Sequence, residues 1–400
     1  MWSPEDPYLY HTTIEAEGDV VPITYGIRTI EYSAEKGLQL NGKPIVLNGG
    51  CVHHDNGILG ASAFDAAEYR RVRLLKDAGF NAVRTSHNPP SEAFLRACDE
   101  LGLLVIDEAF DGWRDKKNDF DYSTLIDQWW QEDIKAMVLR DRNHPCVFCW
   151  SIGNEVIERK KIEVVKTAHQ LASLCRQLDE QHRPITSALC SWDNDWDIYD
   201  PLAAEHDIVG YNYMIHKSQG DHERVSNRVM VQTESYPRDA WQSYRKVMDE
   251  PYIIGEKEVV QGMATFTLPY QPGTLRAEGG EETVSLQTAD EVKAIRLTAD
   301  RTTLKADGQD LAFITIELTD GNGIVNCTSN NELTVSVSGP ITLIGFGNAD
   351  IKDCDRSTDS THRAWKGRAL LVVRSTGKKG KATITVQGKG LKTASINLSL

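Results

Sequence analysis

Two apolar runs in this 400-residue chain each end on a glutamate: Val147–Glu155 (VFCWSIGNE) and Val229–Glu234 (VMVQTE). A hydrophobic strand that stops at a carboxylate has used its core-forming residues and then delivers a titratable group to a rim. Two such strands on one barrel supply the pair of carboxylates that glycoside hydrolysis uses. One carboxylic acid protonates the leaving oxygen. The other, ionised, attacks the anomeric carbon. The acid needs a raised pKa and the anion needs cations or hydrogen-bond donors around it.

Other polar residues gather at the ends of apolar runs. Arg84 closes a run and either neutralises an acid inside a barrel or binds substrate. His87, in the Thr85–Pro90 stretch behind it, is suited to donating to a sugar hydroxyl. Asp107 and Glu108 follow the next run, and one of them is expected to face the site. We assign Asp107 to substrate. Asn154 precedes Glu155, and Asn212 and Tyr213 end a further run, where the tyrosine could reach the nucleophile or stack on sugar. Trp113, Trp192 and Trp196 lie in loops, where an aromatic face suits sugar stacking or core packing alike. The adjacent His53, His54 and Asp55 suggest a metal set, but consecutive strand side chains face opposite ways. No metal and no cofactor is therefore expected. The eight cysteines are scattered; Cys146 and Cys149, a CxxC within a strand run, read as buried thiols rather than a metal or redox pair.

The elements that must position these groups are legible as a change of texture. Short β runs alternate with amphipathic helices from about residue 38 to 255. The strands expected are Ile45–Leu47, Ala82–Arg84, Leu103–Ile106, Val147–Trp150, Ile185–Ala188, Ile208–Tyr211, Val229–Val231 and Tyr252–Ile254. Between them lie the helical stretches 66–78, 91–101, 125–140, 162–180, 201–205 and 240–248. Ser91 caps one helix and Gly102 follows its end. Eight alternating units predict a (β/α)8 TIM barrel with its site at the strand C-termini. A doubly wound sheet is disfavoured, because no glycine-rich phosphate loop follows the first strand. After about 257 the helical period disappears and strands alternate with Gly, Asp and Asn turns, which predicts an immunoglobulin-like β-sandwich. The fold class is thus α/β plus all-β. The expected domains are 1–33, the terminal strands of an immunoglobulin-like sandwich; 34–255, the barrel; 256–289, a partial β-domain; and 290–400, the C-terminal sandwich.

A formal charge of −14 argues against nucleic acid and against an anionic membrane surface as partners. A neutral carbohydrate fits. No apolar run is long enough to span a bilayer, and residues 1–6 show no signal-peptide pattern. Localisation and oligomeric state are not readable.

Asn81–Pro89 (NAVRTSHNP) and Asp141–Glu155 (DRNHP through WSIGNE) resemble the two signatures of glycoside hydrolase family 2, the family of β-galactosidases, β-glucuronidases and β-mannosidases. Trp2–Tyr10 resembles the end of the immunoglobulin-like domain that precedes the barrel in that family. The resemblance implies Glu155 as acid/base and Glu234 as nucleophile of a retaining hydrolase. It implies Arg84, His87, Asn154 and Tyr213 as contacts of substrate or nucleophile, and a terminal β-D-galactoside as substrate. β-Glucuronide or β-mannoside hydrolysis, or a carbohydrate-binding remnant, are the alternatives. Relatives of this architecture are usually exported. The chain departs from the family after Gly255, where the eighth barrel unit is short and its helix is missing.

Overall fold

In a computed structural model of the chain, residues 1–193, 195–236, 272–279 and 282–400 are described. They form two compact units. One comprises Met1–His54 and the barrel from Tyr69 onward; the other comprises Asp55–Glu68 and the C-terminal strands. The second unit therefore takes a piece from the connection after the first barrel strand, which a reading of contiguous domains misses.

The first unit opens with an antiparallel hairpin, β1 (Tyr10–Ala16) and β2 (Asp19–Tyr25). A small sheet follows, made of β3 (Ile30–Ser33), β4 (Gly37–Leu40) and β5 (Lys43–Pro44). Then come seven strands in strict sequential order, each parallel to the next: β6 (Gly49–Val52), β7 (Ala82–Thr85), β8 (Leu104–Glu108), β9 (Val147–Asn154), β10 (Ile185–Leu189), β11 (Val209–Asn212) and β12 (Met230–Glu234). The principal helices between them are α1 (Asp65–Asp77), α2 (Glu92–Leu101), α3 (Ile126–Asp141), α4 (Glu163–Leu178), α5 (Asp200–Ala203) and α6 (Ser218–Arg224). This alternation builds a nearly closed TIM barrel, because a parallel pair needs a crossover long enough for a helix. Strands β7 to β11 are buried along their whole length, as strands covered on both faces must be. The expected strand Tyr252–Ile254 and helix 240–248 lie outside the described residues.

The first barrel strand is Gly49–Val52, not Ile45–Leu47. Glycine in a strand is usually a cost. Here Gly49 pairs with Ala82, and a Cβ on it would sit 2.8 Å from the Ala82 carbonyl oxygen, so the close approach of β6 and β7 requires it. Ser91 accepts from the Phe94 amide at 3.1 Å and Gly102 ends α2 at φ +77°, as the cap reading predicts.

The second unit holds two four-stranded antiparallel sheets. One orders β15 (Ala294–Ala299), β16 (Leu311–Thr319), β20 (Arg368–Ser375) and β18 (Ile341–Gly347). The other orders β19 (Thr361–Arg363), β17 (Glu332–Ser338), β21 (Lys381–Gly388) and β22 (Ala394–Ser399). Their inner faces share one core, including Ile314, Phe346, Leu371 and Ile384. A separate hairpin, β13 (Thr274–Gly279) with β14 (Glu282–Gln287), precedes them. On the outer side Ile58, Leu59, Phe64 and Ala67 pack with Leu311, Phe313 and Val372.

Candidate active site

The polar residues converge at the C-terminal mouth of the barrel. Arg84, 3 % exposed, is the hub. Its Nη1 donates to both oxygens of Glu108, at 2.8 and 2.7 Å, and its Nη2 donates to Glu234 Oε2 at 2.7 Å. Its Nε donates to the Thr233 carbonyl at 3.2 Å. The guanidinium thus takes the carboxylate of β8 on one side and that of β12 on the other. Glu108 also accepts from Ser151 Oγ at 2.7 Å and lies 2.7 Å from His87 Nδ1. Burial alone would raise the Glu108 carboxyl. Arg84, His87 and Ser151 overcome that and hold it below the ordinary range.

Asp107 is placed differently from the expectation. It is fully buried and faces Asp141 of α3, whose two oxygens are held by Arg140. Neighbouring strand residues point to opposite faces, and a register shift between Val105 and Ile106 sets which of the two acids turns inward. Glu108 does, and a substrate cannot reach Asp107. Burial and Asp141 push the Asp107 carboxyl well above its usual range.

Glu155 and Glu234 meet through Asn212. Its Nδ2 lies 2.9 Å from Glu155 Oε1 and 3.2 Å from Glu234 Oε2. The two carboxylate oxygens can therefore be no farther apart than those two bonds laid end to end. Asn212 is oriented by Thr233 Oγ1, which donates to its Oδ1 at 2.8 Å. The Tyr213 hydroxyl donates to Glu234 Oε1, and burial together with that carboxylate pushes the phenol up. Two non-glycine residues in this mouth take left-handed backbone, Glu155 at φ +42° and Tyr213 at φ +61°. Such conformations cost energy and persist where the surroundings hold them. Here the Glu155 amide bonds to the Ala188 carbonyl at 2.7 Å and the Tyr213 amide to the Glu234 carbonyl at 2.9 Å.

Asn154 is fixed from three sides. Its Oδ1 accepts from Asn212 at 3.0 Å and its Nδ2 donates to Asp111 at 2.9 Å. Lys117 Nζ bonds the Asn154 carbonyl at 3.0 Å and Asp111 Oδ1 at 2.8 Å. Sequence reasoning missed Asp111 and Lys117, which sit in a loop without periodicity. It also missed Cys51, within 3.4 Å of Arg84 Nη2 and of the Thr233 carbonyl, which draws the edge strands β6 and β12 toward each other. Cys190 lies beside Glu155; burial and that carboxylate push its thiol up to about 12.

His53 lies edge-on against the His87 ring at 5.1 Å. The buried Cys146 lies near Asp99 and His144, but both Asp99 oxygens are engaged, one at 2.5 Å from His144 Nδ1 and one accepting from the Cys146 amide at 3.0 Å. At the opposite mouth, a cavity of about 170 Å³ is lined by Leu38, Phe148, Ile208 and Met230 among others, with little polar surface to orient a ligand.

A TIM barrel carrying paired carboxylates at its strand C-termini is the frame of many sugar hydrolases, and comparison with known proteins places it. Residues 33–262 match the TIM-barrel domain of glycosyl hydrolases family 2, and residues 295–397 match a glycoside hydrolase family 2 C-terminal domain. The chain belongs to glycoside hydrolase family 2. It is similar to a β-galactosidase of Bacteroides ovatus, 26 % identical over all of this chain and 67 % of that protein. A putative β-glucuronidase of Formosa agariphila is 44 % identical over 39 % of this chain, a match that covers 16 % of that protein. A solved family 2 member from Bacteroides cellulosilyticus superposes with a TM-score of 0.93 at 32 % identity, covering all of this chain and 68 % of the other. The chain thus spans about two thirds of the length of its full-coverage relatives.

Proposed function

We propose that the chain is a retaining β-glycosidase that removes terminal β-D-galactose. The observation that carries the mechanism is the shared amide of Asn212. It keeps the Glu155 and Glu234 oxygens within two hydrogen bonds of each other. An oxygen pair that close is compatible with the roughly 5–5.5 Å separation of the carboxyl groups in retaining enzymes. Arg84, Asn212 and Tyr213 converge on Glu234 and fit an anion there, whereas Glu155 meets Asn212 and the neutral thiol of Cys190. In this reading Glu155 protonates the glycosidic oxygen while Glu234 attacks the anomeric carbon. The C–O bond to the leaving group breaks and a glycosyl ester forms on Glu234. Glu155, now ionised, takes a proton from water, which releases the sugar with its original configuration. Arg84, His87, Asn154, Asn212 and Tyr213 hold the nucleophile and the sugar. Galactose is favoured by the names of the full-length Bacteroides relative and of a Thermoanaerobacter pseudethanolicus β-galactosidase.

Nitrophenyl β-galactoside, β-glucuronide and β-mannoside, assayed with purified protein, test this. The galactoside should be the fastest. Glu234→Gln should lose activity by on the order of 10³-fold or more. Proton NMR should find the β-anomer first. Wild-type turnover no greater than that of the variant would leave only a carbohydrate-binding role, and a first-formed α-anomer would remove the retaining mechanism.

A further inference from the structure

Three tryptophans in the barrel loops could equally be sugar platforms or core, and the structure separates them. Trp113 is fully buried and donates to the Ile152 carbonyl at 2.9 Å; Trp196 is 5 % exposed and donates to Asp221 at 2.7 Å. Trp192 is 67 % exposed and makes no indole hydrogen bond among the described residues. A single exposed aromatic is ordinary on a protein surface; Trp192 is set apart by where it stands.

Its surroundings point to a ligand. The Trp192 ring lies 5.5 Å from that of Tyr213, tilted by 30°, and Tyr213 lies 4.8 Å from the ring of Tyr236. The three rings come from the ends of β10, β11 and β12 and form an arc over Glu234, since the Tyr213 hydroxyl sits on that carboxylate. The loop bearing Trp192 is tied to the loop that follows Glu155. Arg159 Nη2 meets Asp193 at 2.6 Å, Lys160 Nζ meets Asp195 at 3.0 Å, and Ser191 Oγ donates to Asp195 at 2.7 Å. Cys190, two residues before Trp192, lies beside Glu155. The exposed ring therefore stands at the mouth between the two carboxylates, on a loop tied to the proton donor's side, from which a leaving group departs.

We propose that Trp192 is the platform for the leaving group, and that it selects substrates whose aglycone presents a flat face, a second sugar ring or an aryl ring. This rests on the glycosidase reading. Aromatic rings in offset-stacked or edge-to-face pairs gain about 0.5–1.5 kcal/mol beyond burial, which is about 2- to 12-fold in a rate constant.

The test compares kcat/KM for nitrophenyl β-galactoside and a β-galactosyl disaccharide with that for β-galactosyl fluoride, whose leaving group has no face to stack. In Trp192→Ala the ratio to fluoride should fall about 3- to 10-fold, and Trp192→Phe should restore most of it. A fall for the disaccharide alone identifies a sugar as the natural aglycone; a fall for the nitrophenyl substrate alone identifies an aryl group. Unchanged ratios for both overturn the proposal. If the wild type hydrolyses nothing, the glycosidase reading fails separately, and binding still decides. Phenyl 1-thio-β-galactoside should then quench tryptophan fluorescence at lower concentration than methyl 1-thio-β-galactoside, and Trp192→Ala should abolish the difference. A difference that survives in the variant refutes the platform.

Discussion

The Tyr213 hydroxyl is the contact on Glu234 whose removal disturbs least else. Tyr213→Phe keeps the ring between Trp192 and Tyr236 and deletes one donor from the proposed nucleophile. Charge develops on Glu234 when its glycosyl ester is hydrolysed, and losing a donor aimed at developing charge costs on the order of 10²–10³-fold; with Arg84 and Asn212 still in place, a fall in kcat of about 10- to 100-fold is expected. Circular dichroism should give an unchanged melting temperature. A melting point several degrees lower would mean that the hydroxyl serves the fold instead. Much of this network is legible without coordinates, because Glu155, Asn154, Asn212 and Glu234 each end an apolar run and a strand end must face the mouth. The choice between Asp107 and Glu108 is not. Adjacent residues take opposite faces, and the irregular pairing of β8 with β9 decides between them.

Strand β9 carries the proposed acid, and Gly153 is its tightest point. A Cβ there would lie 2.8 Å from Nε1 of the buried Trp113 and 3.0 Å from its Cε2. Gly153→Ala must displace the indole or the strand, at a cost of about 1–3 kcal/mol. Because Asn154 and Glu155 follow directly, activity should fall further than the lost stability explains. Thermal melts and initial rates measured well below the melting point check both; a variant with wild-type values for each would show that the indole yields freely. Helix α2 was readable to its ends because Ser91 and Gly102 are local signals. Strands β18 and β22 carry no such local signal. Gly345 interrupts the first at a register shift, and the second (ASINLS) is half polar. Their pairing comes from β20 and β21, which are distant in sequence.

For the whole molecule, acid is the condition to which the fold is most exposed. Asp179 accepts from Arg183 Nη1 at 2.7 Å and from Trp150 Nε1 at 2.9 Å. Burial would raise its carboxyl, but Arg183 and these bonds hold it below the ordinary range, as with Glu108. The folded pKa values lie below the unfolded ones. The unfolded chain therefore binds more protons between them, and stability rises with pH across that interval. The contribution is complete above the ordinary carboxylate range, about pH 4–4.5, and is lost as pH falls through the depressed values. The Asp179 and Glu108 share of the melting temperature should hold from pH 7 to 5 and drop steeply below 4. It adds to a loss that begins near about pH 6.5, where the unfolded chain protonates His206 while burial holds the folded imidazole down to about 4. In Asp179→Asn the melting temperature should start lower, since a broken buried pair costs about 3–5 kcal/mol, and should fall less steeply. An equal slope in both proteins would show that Asp179 does not titrate on unfolding. The split of the chain into two units has a consequence in time. Residues 55–68 leave the ribosome with Ile58, Leu59 and Phe64, yet their partners Leu311, Phe313 and Val372 are synthesised more than 240 residues later. At roughly 5–20 residues per second that is a wait of about 10–50 s. For that interval an early-made apolar segment of the nascent chain lacks its native cover, and the second unit cannot complete its outer packing until the C-terminal strands are made.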